Sequence, residues 1–479
     1  AYFRRSQTEI RYHQRAATGQ GAQGKQTSGD KIVLIVLIIW LFAAVWLNFR
    51  PHEYILGGAD AGVYVSLGAE IAQNGGFELY DETLAELDPA LYDVFLRPLP
   101  TNAVASSYLF PGFYVVDAAA GAVTPQFYPF HPVWQAVAFS LSSSAVEGIQ
   151  AALLITGLWM TLASVALILT ARELGGRLAA LLMAAALAVT ALQVWFARYP
   201  TTEALTQFLL WSGLWALIRW LGGKQPASLW ALVSGAALGA VFLVRIDVLV
   251  HLPIFVILVA SLWLRGWRRS DTWFVIPFSL LVIHSFFHGA VFSAPYFSEH
   301  IGLGLRLLWV NWWIIALMLI GGVLALWVLS RYRSRYDDLL RYRTPILVLL
   351  VGAFLIHAVY GWFIRPVILE ASLRPDHYSE TLLLMSNHEN WLRLGWYLST
   401  AGIWLGVAGI CLLIWRVEQK TAVLVATGVL FSVIYLWNAR ANPHQIYVMR
   451  RYVPAVAPFF LLAGSYFISQ LPRFVDRVW

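Results

Sequence analysis

Long apolar stretches recur along this chain from residue 32 to residue 471, separated by short segments that hold most of its arginines. About 20 consecutive apolar residues cross the hydrocarbon of a bilayer as a helix, so the pattern points to a polytopic membrane protein. Ile32–Leu47 and the stretches at 148–171, 178–197, 204–219, 227–244, 248–264, 272–293, 306–330, 344–364, 394–415, 421–438 and 453–471 give roughly twelve expected spans. Charged residues make up only 12% of the chain, against about 25% in soluble domains, which leaves too little charge for a mostly water-facing surface. The 23 Trp, 21 Tyr and 27 Phe suit aromatic belts at the two interfaces.

The basic residues give the orientation. With sides assigned alternately, Arg172 and Arg177, Arg219 and Lys224, Arg265, Arg268 and Arg269, Arg331 to Arg343, Arg416 and Lys420, and Arg473 and Arg477 fall on the side of the amino-terminal tail. That is the positive-inside pattern, with both termini cytoplasmic. A net charge of +7 distributed in this way is a topology signal, and no nucleic-acid partner is expected. Residues 1–30 read as a disordered tail rich in Gln, Gly, Ser and Thr. Ile32–Leu47 lies beyond that tail with no small-residue cleavage site after it, and reads as a retained span. The single cysteine, Cys411, sits in an apolar run and excludes an internal disulfide.

The opposite side receives Pro51–Val146, too long for an ordinary connection and therefore expected to fold. The fold class is all-α, with about twelve transmembrane helices and a small mixed α/β extracytoplasmic domain in this first outer loop. The expected division is 1–30 tail, 31–50 first transmembrane helix, 51–146 outer domain, 147–305 transmembrane core and 306–479 carboxyl-terminal helices. Phe113–Asp117 and Val123–Tyr128 are β-prone runs joined by Ala118–Ala122 and predict a hairpin. Two prolines in Tyr128–Trp134 argue against a continuous helix there. At the head of the loop, Val63, Leu67 and Ile71 recur every four residues, predicting a helix over Ala61–Gln73 that stops at Asn74, Gly75 and Gly76. That helix is expected to lie on the membrane surface, apolar side down, with Asp60 at its amino end. Two readings of Asp60 stand side by side: a base facing a lipid-borne substrate, or an N-cap favoured by the helix dipole.

Several quoted stretches resemble the GT-C superfamily of membrane glycosyltransferases, in particular the protein O-mannosyltransferase and lipid A aminoarabinose transferase branch. ADAGVYVSLGAEIAQNGGF supplies Asp60, Tyr64 and Gly75, and YPFHPVW supplies a Pro-rich lead into the second span, including His131. ARELGGRLAALL, ARYPTTEALTQFLL, LVRIDVLVHLP and RRYVPAVAPFFLLAG follow in the family's order. One departure stands out, since many members have Asp-Glu where this chain has Asp60-Ala61. The resemblance implies transfer of a sugar from a polyprenyl-phosphate donor to a glycan, lipid or protein acceptor on the outer face, with inversion. Asp60 would be the base, and Glu203 a second catalytic acidic residue. Tyr64 and His131 would bind substrate. Holding the departing phosphate requires outward-facing cations, and Arg198, Arg245, Arg365, Arg440, His444, Arg450 and Arg451 are the candidates. Against these stand plainer readings: headgroup anchoring for Arg450 and Arg451, a structural pair of Arg245 with Asp247, and a dipole-favoured first-turn acid for Glu203.

No glycine-rich nucleotide loop is present, and no cofactor is implied beyond the open question of a divalent metal. His284 and His288 share a helix face, which fits interhelical hydrogen bonds better than a zinc motif. Glu370, Asp376, His377, Glu380, His388 and Glu389 lie in a loop that shapes an acceptor site or is simply solvated. Two other classes stay open: a non-catalytic scaffold subunit among other membrane proteins, and a transporter, which the lack of an internal repeat disfavours.

Overall fold

A computed structural model describes residues 28–55, 60–77, 79–99, 108–310, 341–370, 387–439 and 445–478, with isolated positions between 313 and 331. Helix α1 (Ser28–Asn48) carries the first apolar stretch, with Ile39, Phe42 and Trp46 on its exposed face. Helix α2 (Asp60–Asn74) follows and ends where expected, because Gly75 adopts φ 73° and turns the chain left-handed out of the helix. Its apolar face does not lie down on the membrane surface as the sequence suggested. Val63, Tyr64 and Leu67 are buried within the protein: Tyr64 packs on His131 of α3 (Phe130–Ser140), Val63 lies against Gly112, and Gly68 brings the two helices together beside Gln135.

Between α2 and α3 a five-stranded antiparallel sheet runs in the order β1-β5-β4-β3-β2, from β1 (Leu79–Tyr80), β2 (Arg97–Pro98), β3 (Tyr108–Phe110), β4 (Phe113–Asp117) and β5 (Ala122–Pro125). The β4–β5 hairpin pairs Tyr114 with Thr124 and Val115 with Val123, and β5 stops at Pro125, short of the expected Tyr128. Leu84, Leu96, Val115 and Val123 form a small core of its own under this sheet. Asp81 and Asp88 each cap a short helical turn beside it through a carboxylate that accepts a backbone N–H. The prolines of Tyr128–Trp134 did not keep a helix out. Pro129 precedes α3 and Pro132 sits in its first turn, where its missing N–H costs no intrahelical bond.

The rest is helical: α4 (Ala145–Val189), α5 (Ala191–Arg198), α6 (Glu203–Leu221), α7 (Ala227–Ala240), α8 (Leu252–Leu264), α9 (Arg269–Val291), α10 (Ala294–Val310), α11 (Arg343–Val359), α12 (Asn390–Trp415), α13 (Ala422–Trp437) and α14 (Ala457–Val478). Six helical stretches among the described residues are long and apolar enough to cross a membrane, and α1, α7 and α13 contribute shorter apolar segments. The expected spans 148–171 and 178–197 fall on the two sides of Gly176, whose backbone at φ 78° and ψ −158° divides α4 into two helices, and α5 continues the second span. The expected span at 306–330 lies mostly outside the described residues.

One continuous apolar core joins α1, α4 to α9 and α11 to α14, while Val256, Ile257, Leu280 and Ile283 remain on the outer surface. In lipid the apolar effect does not separate helix from helix, so close packing of small residues must hold the bundle. The α12–α14 contact shows this plainly: Gly406 lies against Phe460, and a Cβ on Gly409 would stand 2.0 Å from the Ala463 carbonyl oxygen. Alanine normally gains about 0.5–1 kcal/mol over glycine inside a helix. Gly409→Ala should nevertheless lower the thermal midpoint, since overpacking costs about 1–3 kcal/mol. Gly352→Ala on α11, where a Cβ meets nothing within 4 Å, should keep the helix gain, and melting of the two variants side by side checks the contrast.

Candidate active site

A cavity of about 580 Å³ opens between the sheet, α2, α10 and the segment that leads into α14. Its floor carries Asp60, Arg245, Asp247, Arg450 and Arg451, and its roof carries Arg97, Leu109, Tyr114, Gln126 and Phe127. Tyr296, Glu299 and His300 of α10 close one side.

Each floor residue arrives from a different local structure. Asp60 is the first residue of α2, so the helix fixes it and the N-terminal dipole favours its charge. Glu203 opens α6 directly after the Pro200–Thr202 turn and is fully buried. Arg245 stands in extended backbone between two 3-10 segments that interrupt the bundle after α7, and Asp247 follows at the head of the second. Arg450 and Arg451 end a short helix, Gln445–Arg450, just before α14.

These side chains form one continuous chain of alternating charge. Asp60 Oδ2 accepts from Arg450 Nη1, and Arg450 Nε donates to Glu203 Oε1 at 2.7 Å. The same Glu203 oxygen accepts from Arg245 Nη1 at 2.7 Å. Arg245 then holds Asp247 bidentately, Nε to Oδ1 at 3.0 Å and Nη2 to Oδ2 at 2.7 Å. Asp247 Oδ2 also accepts from Arg451 Nη1 at 2.6 Å and from the Tyr435 hydroxyl at 2.8 Å. Three arginines therefore face three carboxylates, which leaves the floor electrically balanced. Such pairing is what a low-dielectric site demands, because an arginine left alone there would cost several kcal/mol. Geometrically the floor offers what group transfer to a hydroxyl needs, a carboxylate at the wall beside cations that can face an anion.

The roof is tied to α10 by the Tyr114 hydroxyl, which donates to Glu299 Oε2, and by the Phe127 ring, 6.3 Å from that of Tyr296. Burial first, and then that carboxylate, pushes the Tyr114 hydroxyl well above its ordinary range, so it remains a donor.

Of the residues singled out from sequence, Asp60, Tyr64, Arg245, Arg450 and Arg451 line the cavity. Glu203 touches it from behind, through the arginines, instead of standing in its wall. His131 is buried beneath Tyr64, ring against ring at 5.8 Å, with neither ring nitrogen hydrogen-bonded among the described residues. Arg198 does not reach the cavity, because its Nε donates at 2.6 Å to the Leu47 carbonyl at the end of α1. Arg365 also serves the fold: it caps α13 through the Trp437 carbonyl at 2.7 Å and lies over the Trp437 ring. Glu389 pairs with Arg393, and His388 meets the Arg365 carbonyl. Arg440, His444, Asp376, His377 and Glu380 lie outside the described residues, as does the side chain of Glu370.

Among the described residues His284 and His288 make no interhelical hydrogen bond. His288 contacts Ser293, five residues on, and packs on Phe77 and Tyr128, while His284 is exposed. Among the described residues no three His, Cys, Asp or Glu side chains gather as a metal-binding group.

Sequence reasoning missed Tyr435, Glu299, Tyr114 and Arg97. Glu299 had a usable signal, a Glu-His pair placed just after the end of an expected span. Tyr435 had none, since it lies in an apolar run.

No protein-family model matches the chain, and no curated protein matches it by sequence. Several solved structures are similar in fold. The oligosaccharyltransferase of Archaeoglobus fulgidus in the apo form aligns with 93% of this chain at 15% identity and a TM-score of 0.50. The Archaeoglobus fulgidus oligosaccharyltransferase AglB, in complex with an inhibitory peptide and a dolichol-phosphate, gives 13% identity over 93% of the chain and a TM-score of 0.44. ArnT from Cupriavidus metallidurans bound to undecaprenyl phosphate gives 16% identity over 94% of this chain and 80% of its own, with a TM-score of 0.35. This chain spans about half the length of the archaeal structures, 52% in both cases. The fold of this chain is similar to that of the Archaeoglobus fulgidus oligosaccharyltransferase.

Proposed function

We propose that the protein is an integral-membrane glycosyltransferase that moves a sugar from a polyprenyl-phosphate donor to an acceptor hydroxyl on the extracytoplasmic face, with inversion. The observation that carries this reading is Asp60 in the wall of a cavity whose floor also presents Arg245, Arg450 and Arg451. In the reaction the acceptor oxygen bonds to the anomeric carbon and the bond from that carbon to the phosphate oxygen breaks. The electron pair leaves with the lipid phosphate and the hydroxyl proton passes to Asp60. The arginines stabilise the charge that develops on the leaving phosphate. A membrane-embedded donor explains why such a site needs no nucleotide loop. In this reading the chain has about twelve spans, both termini are cytoplasmic, and the sheet domain is outside.

The orientation is checked by cysteine labelling. A cysteine at Asn102 should react in intact cells and one at Ser334 only after permeabilisation, and the reverse pattern would invert the topology.

Asp60→Asn keeps the size of the side chain and caps about as well as Asp. Arg450 retains Glu203 in this variant, so the fold should survive. Sugar transfer from a polyprenyl-phosphate donor should fall by a factor of about 100 to 10,000 with the loss of the proton acceptor. An Asp60→Asn protein that transfers sugar at the wild-type rate would turn the assignment towards a scaffold subunit, the reading that Ala61 in place of a second acidic residue favours.

Removing both cations in Arg450→Gln, Arg451→Gln should weaken donor binding, by up to about 1.5–3 kcal/mol for each charged hydrogen bond whose loss no pair given up on binding offsets. Unchanged affinity, with the variant still folded by its melting curve, would leave the two residues as anchors only.

A further inference from the structure

A balanced floor poses a question for an anion that must bind there. All three floor arginines are already engaged, and on the cavity wall only Arg97, in the roof, adds a further arginine among the described residues. A phosphate that takes an N–H now held by a carboxylate does so by exchange of that pair. The three guanidinium groups differ in how readily they can take part.

Arg245 is locked, with Nε and Nη2 on Asp247 and Nη1 on Glu203. Arg451 makes one contact of this network, to Asp247 Oδ2, an oxygen that also accepts from Arg245 and Tyr435. It can leave without stranding Asp247, which keeps Arg245 and Tyr435, and Asp60 stays paired when it does. Arg450 is the intermediate case. Its Nε is held at 2.7 Å by Glu203, whose side chain is 0% exposed, so the guanidinium has a fixed pivot. Its Nη1 reaches outward to Asp60, a side chain 18% exposed to the cavity. Nη1 thus occupies one of the two oxygens of the carboxylate that would take the acceptor proton.

We propose that donor binding transfers Arg450 Nη1 from Asp60 Oδ2 to an oxygen of the donor's phosphate, so that the arm which grips the leaving group also uncovers the base. The inference rests on the lipid-phosphate donor reading given above. Glu203 keeps the guanidinium in place during the exchange through Nε. Asp60 then takes the acceptor proton while the carbon–oxygen bond to the phosphate breaks, with Arg450 on the phosphate that receives the electron pair. When the lipid phosphate departs, Asp60 gives its proton to water and Arg450 returns. An empty site keeps Oδ2 of Asp60 paired with Arg450, and a site loaded with donor frees it.

The exchange makes binding energies non-additive, which a simple field effect does not. The test is a double-variant cycle on the full chain in detergent micelles at fixed ionic strength. Undecaprenyl phosphate serves as the probe, and native mass spectrometry gives the bound fraction. In the wild type, contact between Arg450 and the phosphate is offset by loss of the Asp60 pair, so Arg450→Gln should weaken binding by only about two- to threefold. In the Asp60→Asn background nothing offsets it, and the same change should cost about tenfold or more, the scale of one charged hydrogen bond. Equal losses in the two backgrounds, or no loss in either, would overturn the exchange while leaving the donor reading standing. Absence of binding by every form would instead sink the donor reading. Each variant is melted in parallel, and Asp60→Ala replaces Asp60→Asn in the cycle if the latter does not fold.

Discussion

The site depends on one interaction above all, the alternating chain Asp60, Arg450, Glu203, Arg245, Asp247, Arg451. Its members come from α2, from the start of α6, from the 3-10 interruption after α7, and from the segment before α14. No local propensity brings these together. What brings them together is the cost of leaving any one charge unpaired at the end of an apolar bundle, several kcal/mol for each ion. Removing one partner of a buried pair costs about 3–5 kcal/mol because the other is left exposed to that penalty. The network therefore disciplines the bundle: α2, α6 and the lead into α14 must meet at this point for every charge to be satisfied. Arg245 illustrates the local price of that arrangement, since its backbone is extended between the 3-10 segments Val241–Leu243 and Ile246–His251.

Much of the scaffold was legible from the sequence because it depends on short-range patterns. The apolar runs mark the helices, Gly75 marks the end of α2, and two β-prone runs mark the hairpin at 113–125. The face of α2 was misplaced for a clear reason. A period of four says that Val63 and Leu67 are buried, but not whether lipid or another helix buries them, and α3 was read as broken by its prolines. The identity of the floor residues was partly legible, since charges at the ends of apolar runs are few. Their partners were not. Arg198 and Arg450 look alike in sequence, each an arginine at a helix end beside a tyrosine or arginine. One is absorbed by the Leu47 carbonyl and the other by two carboxylates more than 200 residues away.

The roof and the floor obey different rules. The roof is a small sheet with its own core, attached to α10 by the Tyr114–Glu299 contact. A neutral hydroxyl donating to a carboxylate fixes that edge without adding net positive charge. The floor is rigid by charge pairing. Between them lie Tyr64, Phe127, Tyr128, Tyr296 and Tyr447, aromatic walls that present apolar faces and hydroxyl edges together. A cavity of this kind can admit a group that is polar on its rim and apolar on its face.

Electrical balance also explains why the floor can hold three arginines when no anion is bound. Free guanidinium groups would repel one another and lose their hydration at once. Carboxylates that pair with them remove both costs, but they also compete with any incoming phosphate for the same N–H donors. On the proposed reading that competition is useful, because a phosphate that takes one of those N–H groups displaces a carboxylate from it. The structure distributes the three arginines so that the displaced carboxylate can be Asp247, which keeps Arg245 and Tyr435, or Asp60, which is then open to the cavity. The first exchange changes only binding. The second changes chemistry as well, and it follows from Arg450 being pinned to Glu203 at one nitrogen and paired with Asp60 at another.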